Sequence, residues 1–286
     1  MTKPALDEFV VQFWGVRGSV PSPGFETIRY GGNTSCIEIR AAGKRIIFDA
    51  GTGLRNLGKE LEGQKDLELH MCFTHYHWDH IQGLPFFEPL FRPGTRLHVY
   101  GQVPEEVRPM SLEEHFYLRV LHTNSPIPVA QIEADLVFHE ITCGDVFKIG
   151  DAEIVTGPLN HPNGAMGYRV NWQDKAIVYC TDTEHFPDRL DDNLLKLAKD
   201  ADILVYDAMY TDAEYHDPKA PKVGWGHSTW QEGVKLTKAA NVRKLAVFHH
   251  EPNHTDDMLD AIAKDLAEKC DYSFLAKEKA IASVFD

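Results

Sequence analysis

The stretch Thr74-His75-Tyr76-His77-Trp78-Asp79-His80 puts four metal-ligating side chains into six positions, directly after the apolar run Leu69 to Phe73. Imidazole nitrogen and carboxylate oxygen are the donors that zinc and similar divalent ions take. In an extended or turning loop, His75 and His77 can face one cation while Asp79 and His80 turn toward a second, so one stretch can seed two sites. A merely solvated loop has no need of so many ligand-type side chains opening from an apolar strand. The cluster sits at the carboxyl end of that strand, where open sites are built.

The pattern His-x-His-x-Asp-His after a hydrophobic strand resembles the signature of the metallo-β-lactamase superfamily, and the family's other landmarks recur in order along nearly the whole chain. Taken singly, His161 in Gly157-Pro158-Leu159-Asn160-His161-Pro162 reads as an ordinary hydrogen-bonded histidine, and Asp182 in Thr181-Asp182-Thr183 as a turn residue. The resemblance implies more. His75, His77 and His161 would hold one divalent ion, Asp79, His80 and His249 the other, and Asp182 would bridge them. Either histidine of Val247-Phe248-His249-His250 can be the last ligand; His249 is preferred because it closes the strand Leu245 to Phe248, with His250 as the alternative. Asp49, in Ile46-Ile47-Phe48-Asp49-Ala50-Gly51, would brace the metal loop without touching metal. The implied fold is α/β, a four-layer αββα sandwich.

A further element, Gly224-Trp225-Gly226-His227-Ser228-Thr229-Trp230, resembles the Gly-His-Ser-Thr motif of the RNase Z and small phosphodiesterase branch of that superfamily. Ser228 or Thr229 is a good cap for the helix that follows, and a capped helix behind a glycine turn accounts for those two residues without any ligand. It does not account for His227. Beside free backbone amides at a helix start, His227 suits contact with a phosphoryl group. By resemblance, Asp79 and His227 are the catalytic residues. A hydroxide bridging the two ions would attack phosphorus in line, with His227 stabilising the developing charge or protonating the leaving alkoxide. The histidine-rich set points to zinc, with manganese or iron as alternatives in the mixed Asp79-His80-His249 site. No organic cofactor is needed.

The elements that must position these residues are legible as alternating short strands and helices. Strands are expected at Val10 to Trp14, Cys36 to Arg40, Arg45 to Phe48 and Leu67 to Phe73, with turns at Gly31-Gly32-Asn33 and Ala42-Gly43-Lys44. A short helix over Ile81 to Phe91 must break near Pro85 or Pro89, and the spacing of Met110, Leu112, Phe116, Val120 and Leu121 predicts a helix over 105–122. A second sheet is expected from Leu136 to Glu140, Val146 to Thr156, Gly167 to Trp172 and Lys175 to Cys180. Helices at Arg189 to Lys199, Ser228 to Ala240 and Asp256 to Cys270 then alternate with strands at Ile203 to Asp207, Leu245 to His249 and Ile281 to Val284. No repeat or linker-like tract interrupts this pattern, so residues 1–286 read as one domain.

Composition narrows the substrate. The chain has 286 residues and a formal net charge of −14, which gives no basic footprint for a long nucleic acid. RNase Z-type relatives hold transfer RNA with a protruding arm, and the interval between His161 and Asp182 leaves no room for one there. The expected partner is therefore a small phosphodiester, with a 3′,5′-cyclic nucleotide leading and cyclic phosphate esters behind it. Residues 105–135 are a candidate lid, and Trp225 or Trp230 a candidate stacking platform for a base. Ester or thioester hydrolysis, as in lactonases or glyoxalase II, shares the ligands but lacks the Gly-His-Ser-Thr element. A metal-binding sensor without turnover is the reading outside enzymology, and the full ligand set argues against it.

The five scattered cysteines form no Cys-x-x-Cys pair and read as buried free thiols. The N-terminal run Met1 to Phe9 lacks the apolar core of a signal peptide, and no later run is long enough to span a bilayer, so a cytoplasmic protein is expected. Whether it forms a homodimer does not follow from spacing.

Overall fold

Ala42 and Gly43 both take left-handed backbone (φ 52° and 68°), the geometry of a two-residue hairpin turn. They fold β2 (Cys36–Ala41) back onto β3 (Lys44–Phe48), and β1 (Val10–Gly15) pairs antiparallel with the far side of β2. Beyond β3 the chain crosses over through α1 (Leu54–Glu60), and β4 (Glu68–Cys72), β5 (Arg96–Gly101) and β6 (Asp135–Glu140) add in parallel. Between β5 and β6 lie α2 (Leu112–His115) and its π-helical continuation Phe116–Leu121. The computed structural model describes residues 8–122 and 125–286; most of the N-terminal run Met1 to Phe9 and two residues of segment 105–135 lie outside these.

The second half repeats this plan. β7 (Val146–Ile149), β8 (Ala152–Leu159), β9 (Ala165–Trp172) and β10 (Lys175–Cys180) are antiparallel, with left-handed Gln173 and Asp174 turning β9 into β10. After α3 (Asp192–Ala198) come three parallel strands: β11 (Ile203–Asp207), then α4 (Asp212–Tyr215) and α5 (Trp230–Ala239), β12 (Lys244–Phe248), α6 (Asp256–Lys269) and β13 (Phe274–Leu275). β14 (Ile281–Ser283) returns to pair with β1. The result is two seven-stranded sheets, ordered β14-β1-β2-β3-β4-β5-β6 and β13-β12-β11-β10-β9-β8-β7.

Three apolar layers hold this together. Phe13, Ile39, Phe48, Ile154, Tyr168, Tyr179 and Phe248 fill the space between the sheets. Leu54, Leu57, Leu69, Leu97 and Phe116 cover the outer face of the first sheet, and Leu197, Leu204, Val234, Leu245 and Leu259 that of the second. Each such side chain contributes about 1.5–3 kcal/mol on burial. Helix, sheet, sheet, helix is the expected αββα order. In both halves the chain switches from antiparallel to parallel pairing, so the carboxyl ends of β3, β4, β10, β11 and β12 are free to carry loops toward one site.

Several local expectations need correction. Leu136 to Glu140 belongs to the first sheet's edge, and Val146 to Thr156 is a hairpin, broken where Gly150 turns with φ 60°. Strand β5 was not expected, although Leu97 and Val99 alternate with His98 and Tyr100 as a strand requires. Residues 105–122 are not one helix: Pro109 interrupts them, and Ser111 caps a new start by accepting from the Glu114 amide. The Ile81 to Phe91 run does break as expected, into 3-10 turns Leu84–Phe86 and Glu88–Phe91 on either side of Phe87. Cys36, Cys72, Cys180 and Cys270 are buried, but Cys143 is exposed. Trp230 is buried under α5 against the second sheet, so it cannot stack on a base; Trp225 is 56% exposed.

Candidate metal centre

Three residues that end strands leave the extended conformation abruptly. Asp49 after β3, Asp182 after β10 and His249 after β12 have φ of 60°, 55° and 61°, left-handed values that a non-glycine residue adopts at a cost of about 1–3 kcal/mol. Strain of this kind persists where the surroundings fix it, and here each of the three joins a single polar cluster between the two sheets.

The donor atoms of the seven expected ligands fall into two groups, each with every pair within 4.8 Å: His75, His77, His161 and Asp182, then Asp79, His80, Asp182 and His249; Asp207, His227 and His249 form a third. Asp182 belongs to both of the first two. Its Oδ1 lies 3.8 Å from His75 Nε2 and 3.7 Å from His161 Nε2; its Oδ2 lies 3.1 Å from His80 Nε2 and 3.2 Å from His249 Nε2. Asp79 Oδ2 lies 3.3 Å from both His80 Nε2 and His249 Nε2 and accepts from the Ser19 amide at 2.8 Å. All seven residues expected to hold metal are thus brought together. His250 is not among them: its Nε2 lies 2.8 Å from the Ala276 carbonyl, and burial lowers its pKa to about 3.

Asp49 stands behind the cluster. Its carboxylate accepts from the Thr74 amide and hydroxyl and from the Tyr179 hydroxyl at 3.0 Å, and Oδ2 lies 2.9 Å from His80 Nδ1. A carboxylate only accepts, so Nδ1 of His80 carries a proton toward Asp49, and Nε2 is turned toward Asp79 and Asp182. The Gly226 carbonyl does the same for His161, 2.9 Å from its Nδ1.

The electrostatics call for cations. Every ion pair that Asp49, Asp79, Asp182 and Asp207 make among the described residues is to a histidine. Burial alone would raise the Asp182 pKa, but His249 and His80 hold it well below the usual carboxylate range. Burial pushes His75, His77 and His161 down, which favours the neutral imidazole that binds metal. Nε2 of His75 is buried without a hydrogen-bond partner, and Nε2 of His80 faces the carboxylates of Asp79 and Asp182. Buried imidazole nitrogens converging on buried carboxylates suit divalent ions.

His227 borders this cluster from the loop before α5. Its Nδ1 lies 2.8 Å from Asp207 Oδ2 and 4.0 Å from Asp182 Oδ1, and its ring stacks on His249 with centroids 5.0 Å apart. Thr229, not Ser228, caps α5 by accepting from the Glu232 amide. Asp207 was missed from sequence; its signal was a carboxylate closing a buried strand. A cleft of about 480 Å³ opens past His227, with Trp225, Lys222, Tyr210 and Glu251 in its wall. A second, of about 350 Å³, opens past His77 beside Glu105, Glu106 and Cys143, so the start of segment 105–135 borders the site.

Residues 44–250 match the family model described as beta-lactamase superfamily domain. The chain belongs to the beta-lactamase superfamily. That membership and the donor cluster make it a metal-dependent hydrolase of this family. The chain is similar to proteins named Ribonuclease Z from Clostridium acetobutylicum (27% identical over 269 residues, covering 77% of this chain and 83% of that one) and Pyrococcus furiosus (24% over 310 residues, 90% and 91%). Among solved structures, the fold is shared with the metallo-beta-lactamase fold protein YhfI of Bacillus subtilis (18% identity, 96% of this chain and 99% of that one, TM-score 0.70). It is also shared with human tRNase Z, short form (19%, 96% and 99%, TM-score 0.66). Among the described residues no helix is long and apolar enough to cross a membrane.

Proposed function

We propose that this protein is a phosphodiesterase acting on a small phosphodiester, with a 3′,5′-cyclic nucleotide as the leading substrate. The observation that carries the reading is the pair His227-Asp207, set against a cluster able to hold two ions. His75, His77 and His161 would hold one ion and Asp79, His80 and His249 the other, with Asp182 between them; zinc fits these donors, and manganese or iron the mixed set. When bound, the ions supply Lewis-acid polarisation of the phosphoryl group and a water acidic enough to attack near neutral pH.

The chain's own residues do the rest. Asp49 and the Gly226 carbonyl orient His80 and His161. Asp79, fixed by the Ser19 amide, adds negative charge on the side facing His249. Asp207 keeps the Nδ1 proton on His227, and Nε2 of His227 meets the substrate, where it stabilises the transition state or hands a proton to the leaving alkoxide.

A second reading is processing of RNA, favoured by the relatives named Ribonuclease Z, which match over most of their length. Against it, β9 and β10 between His161 and Asp182 are joined by a two-residue turn with no arm, and the two cleft walls carry Glu105, Glu106 and Glu251 against one lysine, Lys222. A polyanion meets repulsion there. The deciding experiment follows hydrolysis of bis(p-nitrophenyl) phosphate, 3′,5′-cyclic AMP, a precursor transfer RNA and a thioester by metal-loaded protein. Turnover of the small phosphodiesters that falls in His227→Ala supports the reading; cleavage of the RNA alone, or of the thioester alone, overturns it.

A further inference from the structure

Glu184 lies two residues beyond Asp182 and is buried, with a relative exposure of 8%. Its Oε1 accepts from the Gly224 amide at 2.7 Å and from the Tyr215 hydroxyl, and its Oε2 accepts from the Gly226 amide at 2.8 Å. Its backbone is tied as firmly: the Glu184 amide donates to the Asn160 carbonyl at 2.8 Å, and its carbonyl accepts from Asn160 Nδ2 at 2.9 Å. One residue therefore joins the loop of Asp182, the loop of His161 and the loop that leads into His227. Neither the metal donors nor the stacking and capping interactions of the site need a carboxylate at this position.

We infer that Glu184 is a positioning residue that holds His161 in its ligating orientation through Gly226. Gly224 and Gly226 take left-handed φ of 84° and 85°, and a Cβ on Gly226 would stand 2.3 Å from His161 Nδ1, so the peptide must sit against the ring. Glu184 fixes that peptide by its amide, and the carbonyl of the same residue lies 2.9 Å from His161 Nδ1. Nε2 of His161 is thereby left facing His77 Nδ1, 3.1 Å away, and Asp182. The carboxylate matters because two amide donors and a hydroxyl converge on it; a neutral amide offers one acceptor oxygen and turns a donor toward another donor. The consequence is selective. Gly226 touches the His161 ring directly, so the ion assigned to His75, His77 and His161 is the more affected, whereas His80 is oriented by Asp49.

The inference rests on the two-ion reading and is tested on the full chain. Cobalt(II) or zinc is titrated into apo wild type, Glu184→Gln and Tyr215→Phe, with metal content after dialysis and apo-protein melting followed alongside. Wild type should hold two ions per chain. Glu184→Gln should bind one of them roughly 10–100-fold more weakly while the other is unchanged, and Tyr215→Phe, which keeps the carboxylate, should show a smaller selective loss. A wild type that holds fewer than two ions overturns the two-ion reading itself. Two ions bound by both variants with wild-type affinity, or both ions weakened equally in both variants, overturns the role of Glu184. If Glu184→Gln fails to fold, Tyr215→Phe carries the decision by the same selective criterion.

Discussion

Asp49 Oδ2 lies 2.9 Å from His80 Nδ1 and 3.0 Å from the Tyr179 hydroxyl, 130 residues away in the other sheet. One carboxylate thus orients a candidate ligand and ties the two halves of the sandwich together beneath the site. Asp49→Asn removes an acceptor from His80 and frees the ring to carry its proton on Nε2. Metal affinity should fall roughly 10–100-fold, read by competition with a chelator. Unchanged affinity would mean that His80 is oriented by something other than this carboxylate.

His227→Ala should lower kcat for bis(p-nitrophenyl) phosphate by about 10²–10⁴, with the metal content retained. Asp207→Asn should act in the same direction but more weakly, because the ring stays in place and only its proton is misplaced. Asp207 also accepts from the Thr183 and Met209 amides, so melting of the variant must be followed beside its kinetics. Full turnover in His227→Ala would remove this residue from the chemistry.

Gly18 packs against His249 and Met209. A Cβ there would stand 2.5 Å from His249 Nδ1 and 2.3 Å from Met209 Cε. Gly18→Ala should displace the His249 ring and destabilise the protein by about 1–3 kcal/mol. Reduced metal content together with a lower melting temperature is the expected pair of results; a variant that binds metal and melts like wild type would show that the neighbouring loops yield freely.

Glu214 closes the capping box of α4 and meets His254, whose Nε2 lies 2.7 Å away. Burial alone would raise its pKa, but the bonds from His254 and Thr211 outweigh it and lower the value to about 2. A depressed folded value means that the stabilisation is present in full above the unfolded carboxylate pKa, near 4.5, and is lost as pH falls through about 2. Glu214→Gln should therefore be less stable than wild type at pH 7, with the gap closing between about pH 4.5 and 2. Urea midpoints at several pH values measure it; a gap independent of pH would rule out an ionic origin.

Trp225 stands 56% exposed in the wall of the cleft past His227, with Lys222 Nζ 4.2 Å from its ring centroid. If the substrate's base rests there, Trp225→Ala should raise KM for a cyclic nucleotide several-fold, since stacking on an aromatic side chain is worth about 1–3 kcal/mol. Methyl p-nitrophenyl phosphate, which is smaller, should be much less affected. Equal effects on both would locate the base elsewhere.

Sequence by itself determined the local features of this protein. His75, His77, Asp79 and His80 sit close together along the chain, and strands such as Ile203 to Asp207 and Lys175 to Cys180 announce themselves through runs of apolar and β-branched side chains. The tertiary structure decided what depends on partners. A two-residue period marks a strand but does not name its neighbour, so β6 and β14 joined the first sheet, and Val146 to Thr156 became a hairpin. Of His249 and His250, which occupy the same strand end, the fold turns the His249 ring toward Asp79 and Asp182 and the His250 ring toward the Ala276 carbonyl. Asp207 beside His227 and Glu184 beside Gly226 are contacts across 20 and 42 residues. Such contacts cost chain entropy and form only once the sandwich core holds the carboxyl ends of its parallel strands together.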